Sequence, residues 1–383
     1  MINTNITIVG LGITSKLAAL TLAANNRKVM IIGDENSKNQ FSNLVTFFSL
    51  SSINFLKELN LEDVIKQSSS INEISCGKLE NLIKDHKFQI HFKDKNNELG
   101  RVISNKILNE KLDVKINENK NINISRNINI QNCQFSKEKN ILILESGEKI
   151  KTKLLIITEK KTNLLDQNFK NNLIKKDLKQ TSLVLDVKSK TKNHAYQIFT
   201  EKGAIAYLPI NENLASVIWS LDNSSDELDY SQEDILREIN KFYKEIIYCD
   251  EVLNMQKYKL QFEYAKKTFL QSIVLIGDAA HSIHPIAGQG LNLSIKDIVE
   301  LKNQIEKFNY LGYPLGNSLS LSKYENLRFS DTALYSFSTI YLDEIFKSRN
   351  YLLNKVSNFG IQSIEKNKII KDLIIQSATG QSN

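Results

Sequence analysis

Apolar and polar residues at the start of the chain follow the order strand, turn, helix and strand. Residues 6–9 form an apolar run of strand length, a glycine-containing segment follows at residues 10–15, and a helical period runs from Leu17 to Ala23. A second apolar run occupies residues 29–32. This spacing is typical of a βαβ unit and predicts that the chain opens a parallel sheet.

The patterns farther along change from the runs of a parallel sheet to alternating positions and back. Strands are predicted at residues 88–92, 122–130, 140–145 and 153–158, within 182–220, and at 273–276, with the second and third forming a meander around residues 146–147. Helices are predicted at residues 107–112, 231–249, from the glycine-rich loop after residue 276 to about 308, and in a remainder broken at 312–316. This order predicts a nucleotide-binding domain that is interrupted by an antiparallel sheet domain.

The composition is that of a folded chain. Hydrophobic residues make up 41% of it and charged residues 24%, which excludes a disordered or fibrous protein. No apolar run approaches the ~18 residues that cross a bilayer, and the N-terminus lacks the basic flank of a secretory signal, so the mature chain is expected to begin at Met1. Cys76, Cys133 and Cys249 form no C-x-x-C pair. We therefore predict a reducing, cytoplasmic environment and no metal.

The net charge of +7 comes almost entirely from lysine. The basic run at residues 188–192 contains no aromatic side chains on which bases could stack, so it predicts a solvated loop and no nucleic-acid partner. A weak attraction to anionic membrane surfaces is left open.

Gly10, Gly12 and Ser15 form a G-x-G-x-x-S segment between the first strand and its helix. Gly10 permits a tight turn, Gly12 lets a pyrophosphate approach the backbone, and the helix N-terminus offers free N–H groups to phosphate. Ser15 replaces the third glycine and is small enough for close packing. The acid that would hold a ribose hydroxyl falls at Gly33 by counting. Asp34, one residue later, can take this role only if the strand has ended, and the alternative is an exposed turn aspartate.

A second glycine-rich segment, residues 277–292, follows the last predicted strand. Asp278 leaves the end of that strand, where its carboxylate can accept hydrogen bonds from a polyol. Gly288 and Gly290 free the backbone to approach a flat ring, and the helix that begins near Gly290 directs its positive end at that ring, which favours negative charge on a reduced flavin. The alternative, a loop that only connects strand and helix, is disfavoured by the amide side chains among the glycines.

Together with the βαβ unit, this segment resembles the flavin-dependent aromatic hydroxylases of the para-hydroxybenzoate hydroxylase fold, and in particular their ubiquinone-biosynthesis branch. The signature of that branch is His-Pro, an aliphatic and a small residue, Gly-Gln-Gly, then Asn and Asp, and it runs here from His284 to Asp297. Further similarity lies at residues 203–209 and 216–219 and at Tyr324, Arg328, Asp331, Phe346 and 378–380. The resemblance covers nearly the whole chain.

The resemblance implies an α/β fold with interleaved domains. A Rossmann-like FAD-binding domain with a parallel sheet is expected to alternate with an antiparallel-sheet substrate domain, followed by C-terminal helices. The FAD-binding domain would comprise residues 1–75, 99–175 and 265–345, the substrate domain residues 76–98 and 176–264, and the C-terminal helical region residues 346–383.

The activity that the resemblance implies is that of an FAD-dependent monooxygenase in ubiquinone biosynthesis. NAD(P)H or another electron donor would reduce the flavin, and a flavin hydroperoxide would transfer one atom of molecular oxygen to the aromatic ring of a prenylated phenol or quinone precursor. The residues expected at the cofactor are Gly10, Gly12, Ser15, Asp34, Asp278, Pro285, Gly288, Gln289, Gly290, Leu291 and Asn292. His284 is the candidate general base, but for this residue and for His281 a hydrogen-bonded brace of the loop is the favoured alternative.

A prenylated substrate requires a route from the membrane. The segments around residues 340–346 and 369–374 are amphipathic, and they can lie on a membrane, bind a partner in a biosynthetic complex, or cover the FAD-binding domain as a helical layer. We expect a cytoplasmic chain and leave open its peripheral binding to the inner face of the membrane.

The chain departs from the family pattern at several positions. Gly33 stands where the family has an acid, and Leu44 stands where it has a flavin-contacting arginine. Ser294 replaces a glycine, and the pair Glu159-Lys160 replaces the family's Asp-Gly. These changes leave two alternatives open. One is a non-catalytic FAD-fold accessory or assembly protein of the same pathway, and the other is a flavin oxidoreductase that acts on an isoprenoid chain.

Two further predictions concern side chains outside the motifs. Trp219 and the turn at residues 207–209 are candidates to line the substrate pocket, although burial in the core is the favoured alternative. Arg328 and Asp331 lie three residues apart on a predicted helix, and this spacing predicts an ion pair on the surface.

Overall fold

The computed structural model describes residues 1–34, 44–85, 88–93, 98–135, 140–243, 246–282 and 290–347. The strands are β1 (Ile2–Val9), β2 (Val29–Gly33), β3 (Val45–Ser49), β4 (Ser69–Ile71), β5 (Glu73–Lys78), β6 (Ile90–Lys93), β7 (Gly100–Ser104), β8 (Ile122–Arg126), β9 (Ile130–Phe135), β10 (Asn140–Leu144), β11 (Lys149–Ile157), β12 (Leu173–Ser189), β13 (His194–Thr200), β14 (Gly203–Asn211), β15 (Leu214–Asp222), β16 (Cys249–Ala265), β17 (Phe269–Leu270), β18 (Ile273–Leu275) and β19 (His281–Ser282). The helices are α1 (Ile13–Leu22), α2 (Leu50–Glu58), α3 (Glu62–Lys66), α4 (Leu79–Asp85), α5 (Asn105–Glu118), α6 (Asn163–Phe169), α7 (Gln232–Tyr243), α8 (Gly290–Tyr310) and α9 (Ser318–Lys347).

The first sheet contains the predicted βαβ unit. Its strands follow the order β17-β18-β11-β1-β2-β8, and β1 pairs in parallel with both β2 and β11. The meander consists of β9, β10 and β11. The prediction that β8 belongs to the meander is wrong, because β8 pairs in parallel with β2 at the edge of the sheet. Since only one of its faces is well covered, this edge strand shows the alternation that is typical of an antiparallel strand.

Apolar layers cover both faces of the first sheet. The helices α1, α5 and α8 pack on one face and form a continuous apolar cluster with its strands. On the other face α6 packs with the meander strands. The central strands are therefore buried on both sides, and this explains why they are read as uninterrupted apolar runs in the sequence.

The second sheet is mainly antiparallel and follows the order β19-β16-β12-β15-β14-β13-β5-β6. The strands predicted within residues 182–220 lie in it as expected. The helix predicted to extend to Cys249 ends instead at Tyr243, and Cys249 begins the long strand β16, which the sequence analysis missed. β16 contains few fully buried side chains, so it lacks a clear apolar pattern. Its pairing with β12 along most of its length holds it in the sheet.

The two faces of the second sheet contact different elements. On one face, apolar residues of α7 such as Ile235 and Ile239 pack on the strands. On the other face, Leu208 packs against Phe47 and Val102 of a third sheet, which has the strand order β3-β7-β4. The α7 side of the second sheet is therefore a closed core, and the opposite side faces the rest of the molecule.

The C-terminal part of the described chain is helical, as predicted. Turns at residues 311–312 and 315–316 separate α8 from α9, and α9 contacts both β13 and β14. The amphipathic segment around residues 369–374 lies outside the described residues. Within the described ranges, none of the helices is long and apolar enough to span a membrane.

Substitution of Trp219 can test which face of the second sheet forms a hydrophobic core. Its ring is fully buried on the α7 side and meets Phe242 edge to face, with 5.2 Å between the ring centroids. We expect Trp219→Ala to lower the free energy of unfolding by about 3–5 kcal/mol, because it leaves a large cavity. Circular dichroism during urea unfolding measures this loss, since the chain has no other tryptophan to report by fluorescence.

The neighbouring residue Ile218 provides the matched control. Its side chain points to the opposite face and is only partly buried, so Ile218→Ala should cost less than half as much. Equal losses for the two variants would contradict the assignment of the α7 side as the core.

Candidate cofactor site

The carboxyl ends of three neighbouring strands meet at one edge of the first sheet. Val9 at the end of β1 lies in register with Ile157 of β11, and Ile157 lies in register with Leu275 of β18. The segments that leave these strands are residues 10–12, 158–160 and 277–279, so the two glycine motifs of the sequence lie side by side. In open α/β sheets this edge is where ligands bind.

Gly10 has a position that no other residue can take. Its φ is +128°, and a Cβ atom there would lie 2.3 Å from Thr158 Oγ1. The Thr158 hydroxyl donates to Val9 O at 2.9 Å and lies 2.7 Å from Ser15 Oγ. Ser15 therefore acts as the donor to Thr158, and its buried hydroxyl fastens α1 to β11. The serine at the third-glycine position is a packing residue in the described structure.

Gly12 is different, because no contact with the described residues requires a glycine there. Its backbone is extended, with φ −77° and ψ 179°, and a Cβ atom would meet nothing within 4 Å. It is the N-cap of α1, which has neither a side-chain cap nor an acidic residue in its first turn. The described residues thus leave space in front of uncapped helix N–H groups, which is the environment that a phosphate group prefers. The FAD pyrophosphate fits this cradle.

The end of β2 explains the missing acid. β2 ends at Gly33, where a Cβ atom would lie 3.0 Å from Leu11 Cγ, so a larger side chain would crowd the first glycine turn. Asp34 is the first residue after the strand and is partly buried. The condition that the sequence analysis placed on Asp34, that the strand has ended, is met.

The second motif begins with a 3-10 turn at Gly277–Ala279. Gly277 has φ +59° and donates its N–H to Asp297 Oδ2 at 3.0 Å. Asp278 is exposed although both of its neighbours are buried, so its carboxylate is directed away from the core. The side chain is free to meet a polyol from the solvent side of the turn.

Asp297 lies directly behind this turn and is almost fully buried. Its Oδ2 accepts a hydrogen bond from His281 Nε2 at 2.6 Å, and its Oδ1 accepts one from Arg328 Nε at 2.8 Å. Burial opposes ionisation, but the interactions with His281 and Arg328 outweigh it and lower the pKa of the carboxyl below its ordinary value. The carboxylate therefore stays charged and holds the ends of three elements together.

The cluster around Asp297 bears on two predictions from the sequence, the surface ion pair of Arg328 and the role of His281. Arg328 does pair with Asp331, at 2.8 Å between Nη1 and Oδ2, but the surface location predicted for the pair is wrong, because Arg328 is buried and also bonds Asp297. Sequence spacing along one helix could not indicate a partner on another. His281 is a brace of its loop, since its Nε2 is occupied by Asp297 and its ring is buried.

Asn292 is a second brace between elements. Its Nδ2 donates to Phe47 O at 2.7 Å, and its Oδ1 accepts from Ser49 N at 3.0 Å. The amide side chain thus ties the first turn of α8 to the end of β3. Gly290 begins α8, and a Cβ atom there would meet nothing within 4 Å. As at Gly12, the described residues leave space beside this glycine at a helix N-terminus.

The other departures from the family pattern also have defined positions. Lys160 Nζ donates to Ser282 Oγ, so the lysine that replaces a glycine links the end of β11 to β19. Leu44 is half-buried, and its carbonyl accepts from Asn105 N at 2.9 Å. Ser294, which replaces a glycine, donates to Gly290 O at 3.0 Å.

Several predicted site residues cannot be placed in this description. His284, Pro285, Gly288 and Gln289 lie outside the described residues, so the roles given to them stay predictions. A cavity of about 10 Å³ lies behind the turn, against His281, Arg328 and Tyr324. It is far too small for a flavin and belongs to the supporting layer. Within the described ranges, groups of three or more side chains suited to a metal ion are absent.

Comparisons with known proteins agree with this geometry. The sequence profile of the FAD binding domain family matches residues 167–308. The chain is 24% identical to the mitochondrial ubiquinone biosynthesis monooxygenase COQ6 of Dictyostelium discoideum, over 99% of this chain and 91% of that protein. It is also 24% identical to the 3-demethoxyubiquinol 3-hydroxylase of Escherichia coli K12, over 62% of each chain. The family resemblance read from the motifs is confirmed.

Solved structures show the same fold. The p-nitrophenol 4-monooxygenase PnpA of Pseudomonas putida DLL-E4 superposes with a TM-score of 0.78 over the whole of both chains, at 14% identity. The probable FAD-dependent monooxygenase PqsL of Pseudomonas aeruginosa gives a TM-score of 0.76 over 94% of this chain and 99% of that chain, also at 14% identity. The predicted α/β fold class, of the para-hydroxybenzoate hydroxylase type, is confirmed.

Replacement of Asp297 by asparagine tests the cluster behind the turn. Asp297→Asn leaves Arg328 without its buried counter-charge, and we expect the free energy of unfolding at pH 7 to fall by about 3–5 kcal/mol. Because the folded-state pKa of this carboxyl is lowered, its contribution is present above about pH 4 and is lost as the pH falls further. Urea unfolding should therefore show a full difference from wild type at pH 7, and one that becomes smaller as the pH falls below about 4.

Asp331→Asn is the control, since it removes the half-exposed partner of the same arginine. It should cost less than about 1 kcal/mol. Equal losses for the two variants would contradict the central role of Asp297.

Proposed function

We propose that this chain, a divergent relative of the ubiquinone-biosynthesis FAD monooxygenases, is itself an FAD-dependent monooxygenase that hydroxylates the aromatic ring of a prenylated phenol. The observation that carries the proposal is the open cradle at Gly12, which lies beside the exposed Asp278 at the carboxyl edge of the first sheet. Neither residue has a role in holding the described fold together. Both suit a dinucleotide.

The cofactor would lie across the strand ends. Gly10 and Gly12 would hold the pyrophosphate at the N-terminus of α1, with Ser15 keeping that helix close, and Asp34 would bind the ribose. Asp278 would accept bonds from the ribityl chain. The residues assigned to the isoalloxazine edge are Pro285, Gly288, Gln289, Gly290, Leu291 and Asn292. When bound, FAD supplies the redox chemistry that activates molecular oxygen.

The protein's own part in the reaction is to bind, orient and shield. The buried carboxylate of Asp297 fixes the Gly277 turn, and Asn292 fixes the start of α8 against β3. The second sheet presents its side opposite α7 to this region and would hold the phenol. A substrate ring held between the two sheets would be kept out of water, which favours oxygen transfer over loss of the activated oxygen.

Further parts of the proposal concern the reductant, the domains and the location. NAD(P)H or another electron donor would reduce the flavin without a nicotinamide domain, because the sequence has no second glycine-rich βαβ unit. The FAD-binding domain would comprise residues 1–75, 99–175 and 265–345, with the substrate domain at 76–98 and 176–264 and a helical region at 346–383. The chain would act in the cytoplasm, in contact with the inner face of the membrane or with a biosynthetic complex.

The first test is a purified protein supplied with FAD, a reductant and 2-prenylphenol. We expect a bound-flavin spectrum and a product heavier by one oxygen atom, which carries label from ¹⁸O₂. A protein that binds no FAD would contradict the proposal and favour the non-catalytic alternative. Labelled oxygen on the prenyl chain alone would favour the isoprenoid alternative.

The second test uses the two glycines of the first turn. Gly12→Ala should lower the stability of the FAD-free protein by less than about 1 kcal/mol, the difference between glycine and alanine as an N-cap. It should weaken FAD binding about tenfold or more, because its methyl group fills the cradle. Gly10→Ala should destabilise even the FAD-free protein by more than about 2 kcal/mol, because its Cβ meets Thr158. Thermal unfolding and FAD titration measure the two effects, and unchanged FAD affinity in Gly12→Ala would contradict the assignment of the cradle.

A further inference from the structure

We propose that Asp186 selects substrates with a free ring hydroxyl, by accepting a hydrogen bond from the phenol through its carboxylate. This inference rests on the proposed function, since it assumes a phenolic ring on the second sheet. It adds to that function a specificity-determining residue which lies outside both glycine motifs.

The position of Asp186 follows from the alternation of side chains in β12. Leu183, Leu185 and Val187 point into the core on the α7 side. Asp186 and its neighbour Val184 therefore point to the opposite face. That face is the one turned toward the third sheet, so the carboxylate is on the side that is proposed to hold the substrate.

A continuous row across four strands connects Asp186 with the cofactor region. Asn254, Asp186, Ser216 and Leu208 are successive partners on β16, β12, β15 and β14. Neighbouring strands are about 4.8 Å apart, so Leu208 is about 10 Å from Asp186 across the sheet. The residue between them is a small serine, and the next row places Val184 beside Ile218. Asp186 thus lies between two neutral polar side chains in its own row, and the apolar side chains are Leu208 at the end of the row and Val184 and Ile218 in the next one.

Leu208 connects this row to β3 and, through β3, to the start of α8. It packs in one apolar cluster with Phe47 and Val45 of β3, and Ile218 packs against the same cluster. The carbonyl of Phe47 accepts the hydrogen bond from Asn292 in the first turn of α8. The sheet face that carries Asp186 is therefore bounded by β3, and β3 is hydrogen-bonded to Asn292, one of the residues proposed for the isoalloxazine edge.

The carboxylate of Asp186 has unused acceptor capacity. Its Oδ2 accepts only a long hydrogen bond from Asn254 Nδ2, at 3.4 Å, and Oδ1 receives none within the described part of the chain. The side chain is half-buried, and burial raises the pKa of its carboxyl even though Asn254 lowers it. A partly desolvated acceptor with one open oxygen gains from a donor such as a phenol O–H.

The competing interpretation is that Asp186 and Asn254 form only a cross-strand polar pair on the sheet. Substrate discrimination separates the two interpretations, because a merely structural pair would not distinguish a phenol from its methyl ether. The probes are 2-prenylphenol and 2-prenylanisole, which differ only in the donor hydrogen and one methyl group. Their affinities can be measured by calorimetry on the oxidised holoenzyme without a reductant, so that no turnover occurs.

We expect the wild-type holoenzyme to bind the phenol at least tenfold more tightly than the ether. Asp186→Asn keeps the shape but replaces a charged acceptor by a neutral one, and should reduce this preference about tenfold. Asp186→Ala removes the acceptor, so the ratio of the phenol and ether affinities should fall to the value that the extra methyl group of the ether causes by itself. The control Asp250→Asn changes an exposed carboxyl at the start of β16 and should leave the preference unchanged.

The possible results separate the role of Asp186 from the proposed function on which it rests. A wild-type holoenzyme that prefers the phenol, together with Asp186 variants that keep the same preference, would overturn the role of Asp186 and leave the proposed function intact. A wild-type holoenzyme that binds FAD but neither probe would overturn both the phenolic substrate and the role of Asp186. Normal FAD spectra and urea unfolding curves of the variants would show that a lost preference is not a loss of folding.

Discussion

A buried carboxylate, that of Asp297, is the interaction on which the proposed site depends. A charge taken out of water is stable only where opposite charges and donors surround it, and those groups come here from three places: Gly277 after β18, His281 on β19 and Arg328 on α9. None of the three can move without exposing an uncompensated charge to the interior. The turn that presents Asp278 to solvent is therefore held from behind by a buried hydrogen bond to Asp297.

The same cluster couples the two large sheets. β18 belongs to the first sheet and β19 to the second, so the short segment from Gly277 to Ser282 crosses from one to the other, and Asp297 fixes it along the way. Lys160 adds a link between β11 and Ser282, and Asn292 binds α8 to β3. The edge of the first sheet and the open face of the second are thus held in a fixed relation, which a reaction between a bound cofactor and a bound ring would require.

The sequence predicts this arrangement where the signal is local, and fails where it depends on distant partners. The G-x-G-x-x-S turn, the parallel unit, the turn at residues 277–279 and the start of α8 at Gly290 are predicted correctly, because strand, turn and helix follow each other within a few residues. β16 was missed because its stability comes from pairing with β12 and not from its own apolar pattern. Arg328 was placed on the surface because Asp331 is its neighbour in sequence, whereas Asp297 is its partner in space. A buried aspartate five residues beyond the motif, followed by a helix with an arginine, is the signal that could have indicated the cluster.

The departures from the family pattern do not on their own indicate a protein that has lost its cofactor. At Gly33, a side chain larger than hydrogen would press on Leu11 in the first turn, and at Lys160 the new side chain gains a partner in Ser282. Gly12 argues against the loss of the cofactor. A glycine costs conformational entropy, and in this extended position no contact with the described residues requires one, beyond the small advantage of glycine over alanine as an N-cap. The proposed pyrophosphate would account for its presence at the start of an uncapped helix, because it would occupy the space and accept hydrogen bonds from the free N–H groups.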